Sequence, residues 1–65
     1  MKTKIKVFRA IHNFTQAELA EKLGVTRQTI NAIEAGKYAP SVELALKMSE
    51  LFGVTVNEIF QLDDE

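Results

Sequence analysis

The side chains best able to do chemistry in this 65-residue chain are hydrogen-bond donors and acceptors set close together: Gln16, then Thr26, Arg27, Gln28, Thr29 and Asn31, then Lys37 and Tyr38. Such groups bind a polar surface without breaking bonds in it. The chain has no cysteine and one histidine, His12, which excludes a thiolate nucleophile, a disulfide and a zinc cage. No set of nucleophile, base and orienting group is present, and Asp63, Asp64 and Glu65 read as an acidic end more than as a metal site. The expectation is a protein that is not an enzyme and needs no cofactor and no metal.

The chain that must position these groups is short. At 46% apolar and 26% charged residues it has the composition of a folded domain. A domain this small buries only about 60% of the surface its unfolded chain exposes, so it must pack well or associate. Residues 1–65 read as a single domain, and no apolar run spans a membrane or forms a signal-peptide core, so a soluble cytoplasmic protein is expected. The net charge of −1 conceals a segregation. Residues 1–38 carry seven bases and three acids, while residues 39–65 carry Lys47 alone against six acids. The basic half suits a polyanion, and the acidic half suits water or a partner.

Start and stop signals divide the chain into five helices. Thr15, Thr26, Ser41 and Thr55 stand where N-caps are expected, and Thr15 to Glu18 and Thr55 to Glu58 both fit the capping box. Asn13, Gly24, Gly36 and Gly53 accept the left-handed conformation that follows a helix, and Pro40 breaks the chain before Ser41. The predicted helices run from about Lys4 to His12, Gln16 to Leu23, Arg27 to Ala35, Val42 to Phe52, and Val56 to about Phe60. The fold class is all-α, with Phe60 to Leu62 able to continue as a short strand beside Met1 to Thr3.

The third helix carries the binding groups. At 100° per residue from Ile30, Ile33 falls at about 300° and the two mark a buried stripe, whereas Asn31, Ala35, Gln28 and Ala32 fall opposite, between about 100° and 200°. Arg27 and Thr29 flank that outer face, which has none of the Lys and Glu of an ordinary solvated helix. Gln and Asn pair with adenine, Arg with guanine, and Ala or a Thr methyl meets the thymine methyl, so the face suits base edges in a major groove. The preceding helix and the tight Gly24-Val25-Thr26 link complete a helix-turn-helix over residues 16–35, which sets a second helix into that groove. Gln16, first in its helix, stands beside free backbone N–H groups that suit a phosphate.

Two charges border the core. Glu34 and Arg9 each lie at about 40° from the buried stripe of their own helices, and a partly buried charge is tolerated chiefly when paired. An Arg9–Glu34 ion pair between the first and third helices is therefore expected. His12 falls on the buried side of its helix and reads as a packed terminal residue. Val7 and Ile11 share an outward side; they are either exposed or covered by the chain end or another subunit.

The run from Thr15 to Ser41, with Leu44 to Met48 and the Gly53-Val54-Thr55-Val56 to Ile59-Phe60 ending, resembles the DNA-binding domain of the Cro and phage-repressor type, the xenobiotic-response-element family. The resemblance implies a five-helix, lambda-repressor-like domain that binds operator DNA and regulates transcription, usually as a repressor. It implies that Arg27, Gln28 and Asn31 read bases, that Thr29 lies at the groove wall or a phosphate with Thr26 also among the DNA-binding residues, and that Gln16 contacts the backbone and braces the reading residues. Lys37 and Tyr38 would sit in a phosphate-gripping loop, and Arg9 and Glu34 match the family's structural ion pair. Asn13, where Gly is commoner, and the apolar Val7 and Ile11 depart from the pattern.

A single reading helix makes too few base contacts to define a genomic address, so a homodimer on a two-fold site in double-stranded DNA is expected. Residues 42–65 are the candidate dimerisation region, with Ile59, Phe60 and Leu62 in the interface. The competing class is a protein-interaction module, an antitoxin or adaptor on the same fold, which the acidic half and exposed apolar residues would serve.

Overall fold

The computed structural model describes residues 1–63; Asp64 and Glu65 of the acidic end lie outside the described residues. Its order is β1 (Lys2–Thr3), α1 (Ile5–His12), α2 (Gln16–Leu23), α3 (Arg27–Glu34), α4 (Val42–Phe52), α5 (Val56–Ile59) and β2 (Phe60–Gln61). Five helices and a terminal strand pair were the expectation, and that is the architecture found.

The helix starts are made by the caps. Thr15 Oγ1 accepts from the Glu18 N–H at 3.0 Å while Glu18 Oε1 accepts from the Thr15 N–H at 2.9 Å, and Thr55 and Glu58 repeat the reciprocal pair at 3.2 and 2.7 Å. Each box satisfies donors that a helix cannot satisfy itself. Thr26 and Ser41 each accept one N–H at the starts of α3 and α4. Asn13, Gly24 and Gly53 all end their helices at positive φ. Gly36, at φ +75°, is required twice over, because a Cβ there would stand 2.9 Å from the Met1 carbonyl oxygen.

Three helix boundaries differ from the sequence expectation. Lys4 precedes α1 without a capping side chain, and its N–H donates to the Ile59 carbonyl at 2.8 Å, so strand pairing sets this start. Ala35 is the cap of α3 and not its last residue. Phe60 leaves α5 at φ −120°, ψ 135° and enters β2. There β1 and β2 pair antiparallel within one chain, Lys2 opposite Gln61 and Thr3 opposite Phe60, and the Met1 amino group meets the Asp63 carboxylate at 2.7 Å.

The core draws on every helix: Ile5, Leu19, Ile30, Ile33, Met48 and Ile59 are fully buried. Phe8 stacks on Phe52 with centroids 5.6 Å apart. His12 is exposed rather than buried, which corrects the wheel reading; its ring nevertheless lies 5.6 Å from Phe14 and 5.5 Å from Phe52. The last turn of α1 points past the core edge, so the imidazole caps the aromatic cluster from outside. Among the described residues no helix is long and apolar enough to cross a membrane, and no group of three metal-ligating side chains occurs.

Candidate nucleic-acid interface

Helices α2 and α3 pack through Leu19, Ala20, Leu23, Ile30 and Ile33, all buried. Ala20 removes the bulk that would hold two crossing helices apart, and Gly24 turns the chain between them. The packing leaves the opposite side of α3 open. Arg27, Gln28 and Asn31 are exposed there, and among the described residues the side chains of Arg27 and Gln28 make no hydrogen bond or ion pair. They stand free for an external partner.

Beneath one flank of that face lies a polar brace. Arg9 Nε donates to Glu34 Oε2 at 2.6 Å and Arg9 Nη2 to Glu34 Oε1 at 3.2 Å, a two-point pairing of guanidinium and carboxylate. Arg9 Nη1 also donates to the Phe14 carbonyl at 3.0 Å, so the same side chain ties α1 to the start of α2. Gln16 Nε2 donates to Glu34 Oε1 at 3.1 Å and reaches Asn31 Oδ1 at 3.5 Å. Arg9 and Glu34 keep only 15% and 10% of their side-chain surface exposed. The ion pair expected from the helical wheel is therefore present, and Glu34 is the point at which three helices meet.

The other flank is less polar. Thr26 Oγ1 and Thr29 Oγ1 lie 3.0 Å apart, and Thr29 is half-buried. Tyr38 approaches this flank, where it borders a depression with Thr26, Gln28, Thr29 and Ala32. The sequence placed Ala32 on this outer face but set Tyr38 only in a loop beside Lys37; the approach of a loop to a helix four residues back is a tertiary fact with no periodic signal. Lys37 is exposed, with no side-chain partner among the described residues.

The expected interface residues at the chain end separate. Ile59 has no exposed surface and belongs to the core, which corrects its assignment to an interface: α5 is one turn long, and its inward side is taken by Ile59. Phe60 is half-buried and Leu62 is 87% exposed. With Asn57 and Gln61 they border a second surface depression. Val7 and Ile11 are exposed, not covered by the chain end.

A family profile described as helix-turn-helix matches residues 5–59. An uncharacterized HTH-type transcriptional regulator of Methanocaldococcus jannaschii is 57% identical over 65 residues, covering all of this chain and 98% of the relative. One of Bacillus subtilis is 46% identical over 65 residues, with 100% and 96% covered. An HTH-type transcriptional activator of Enterococcus faecalis is 39% identical over 56 residues, 86% of this chain but 28% of that one. Among solved structures, a hypothetical transcription factor from Neisseria superposes with a TM-score of 0.74 at 26% identity, over 82% of this chain and 60% of that chain.

Proposed function

The chain belongs to the Cro-like helix-turn-helix family of DNA-binding transcriptional regulators, and from that premise we propose that it works as a homodimeric repressor of a two-fold operator. In this reading α3 lies in the major groove, with Arg27, Gln28 and Asn31 on base edges. Gln16 and Lys37 engage phosphates on either side, and Thr26 and Thr29 approach the groove wall. The observation that carries it is the outer face of α3: exposed guanidinium and amide groups, two of them with no partner among the described residues, above a brace that holds the helix in place.

The brace has a mechanical role in the proposal. Gln16 bonds to both Glu34 and Asn31, so the residue at the phosphate and a residue at the bases share one network. A backbone contact then sets the register in which the base contacts are made. Two copies would present two such helices to successive major grooves, roughly 34–36 Å apart. Phe60 in β2 and Leu62 just after it, apolar and at least partly exposed, support a two-fold contact there. Occupation of the operator by the dimer would exclude other proteins, which gives repression.

Selection from a random duplex library followed by footprinting tests this reading. The expected result is a palindromic site with half-sites one helical turn apart, and affinity that falls with salt at a logarithmic slope of about −0.9 per phosphate. Absence of any selected duplex at low salt would favour the protein-interaction reading, for which exposed Val7 and Ile11 offer a surface.

A further inference from the structure

Two exposed apolar pairs are used neither by the core nor by the outer face of α3. On α1, Val7 and Ile11 fall at about 200° and 240° from the buried Ile5. On α4, Val42 and Leu46 fall at about 160° and 200° from the buried Leu44. All four are more than half exposed, and each pair is one helical turn apart, about 6 Å along its axis. Their charged neighbours are of opposite sign. Lys4 lies next to Ile11 at about 260°, Lys6 lies at about 100° on the same exposed side, and no acid occurs in the chain before Glu18. Beside Leu46 stand Glu50 and Glu43, at about 240° and 260°, with Lys47 further round at about 300°. Among the described residues these charges make no ion pair with one another or with any other side chain.

We infer that the α1 face of one copy, Val7 and Ile11, docks on the α4 face of a second copy, Val42 and Leu46, so that copies join head to tail. Pairing either face with itself sets lysine against lysine or glutamate against glutamate, which opposes contact. Pairing one with the other sets lysine against glutamate. Because two different patches meet, the contact extends from copy to copy, whereas a two-fold contact stops at two. It is separate from the two-fold contact proposed at Phe60 and Leu62, and it needs no DNA. A stable interface buries about 1,200–2,000 Å², and two apolar side chains from each copy are too few for that. The contact therefore counts where copies are already held side by side, at an effective concentration of about a millimolar. Neighbouring sites on one duplex are such a place, and occupation of one then favours occupation of the next.

The chain has no cysteine, so disulfide trapping between introduced thiols reports the contact directly. Ile11→Cys protein and isotope-labelled Leu46→Cys protein are mixed in equal parts at about millimolar concentration and oxidised, and the linked products are weighed. Random collision yields as much mixed product as the two like products together. The mixed product is expected to exceed them by about fivefold, the upper value for one exposed ion pair. Lys4→Glu on the first protein is expected to bring that ratio back to the random value, and Glu50→Lys on the second to restore it. A protein carrying both Ile11→Cys and Leu46→Cys is expected to give a ladder of linked chains. The random ratio in the parent pair, or an excess of like products, would overturn the inference. Closed pairs in place of the ladder would overturn its head-to-tail form, and a ratio unmoved by both charge reversals would overturn the role given to Lys4 and Glu50. None of these outcomes bears on the operator reading, which the duplex selection tests separately.

Discussion

Around α3 the polar side chains are tied to one another: Arg9, Gln16 and Glu34 form a part-buried network that reaches Asn31 on the exposed rim. Around α4, α5 and β2 it is the apolar side chains that stand out. Val42 is 77% exposed and Leu62 87%, and Leu46 is also exposed. The two regions thus place their unusual residues in opposite positions, polar groups inward in one and apolar groups outward in the other. A polar network beneath the surface fixes geometry, which suits reading hydrogen-bond positions on a rigid duplex. Exposed apolar groups suit association, where area counts for more than alignment. The charge segregation follows the same division, since the braced region is basic and the other acidic.

The largest effect is expected from breaking the brace. Glu34→Gln leaves the Arg9 guanidinium poorly compensated, and disrupting a largely buried pair costs about 3 kcal/mol. For a domain of this size that lowers the melting temperature by roughly 12–24 °C. Val42→Ser, on the other region, should leave melting nearly unchanged; equal losses in the two variants would erase the contrast.

Next in size is the proposed association. Leu62→Asp should raise the dimer dissociation constant at least about tenfold, the lower end for a Leu removed from an apolar contact, with melting of the fold itself little altered. Sedimentation of the two proteins across a concentration series checks this. A wild type that stays monomeric well above micromolar concentration would remove the role proposed for this surface.

The smallest effect is in the pH dependence, where the two regions are expected to behave alike. Backbone and hydroxyl hydrogen bonds from Thr15 hold the Glu18 carboxyl below its ordinary pKa, and the Met1 amino group does the same for Asp63. Both groups then bind fewer protons folded than unfolded. Their stabilisation is present at neutral pH and is lost as pH falls through the folded-state values. Thermal melting from pH 7 down to pH 3 should show a modest decline, reduced in Asp63→Asn and in Glu18→Gln. A melting temperature that rises on acidification would contradict the sign.

Much of this was legible in the sequence, for physical reasons that differ by residue. Thr15 and Thr55 announce helix starts because a cap is a local interaction across three residues. Arg9 and Glu34 were legible because two charges at the edge of two apolar stripes have few partners other than each other. Ile59 was misplaced because a four-residue helix has too little periodicity to tell its inner side from its outer one. His12 was misread because a wheel gives direction but not where the core ends. Tyr38 and Ala32 border one depression because a loop returns to α3, and nothing in their spacing encodes that approach.

In the proposed function the amide and guanidinium groups on the outer face of α3 read sequence, while Lys37 and the start of α2 supply attraction to phosphate. The most direct measurement compares Gln28→Ala with Lys37→Ala on the selected duplex and on a mismatched one, across a salt series. Gln28→Ala is expected to reduce discrimination between the duplexes by about tenfold with the salt slope unchanged. Lys37→Ala is expected to weaken both duplexes alike and lower the slope by about 0.9. A Gln28→Ala protein that keeps full discrimination, or that loses affinity equally for both duplexes, would contradict the account.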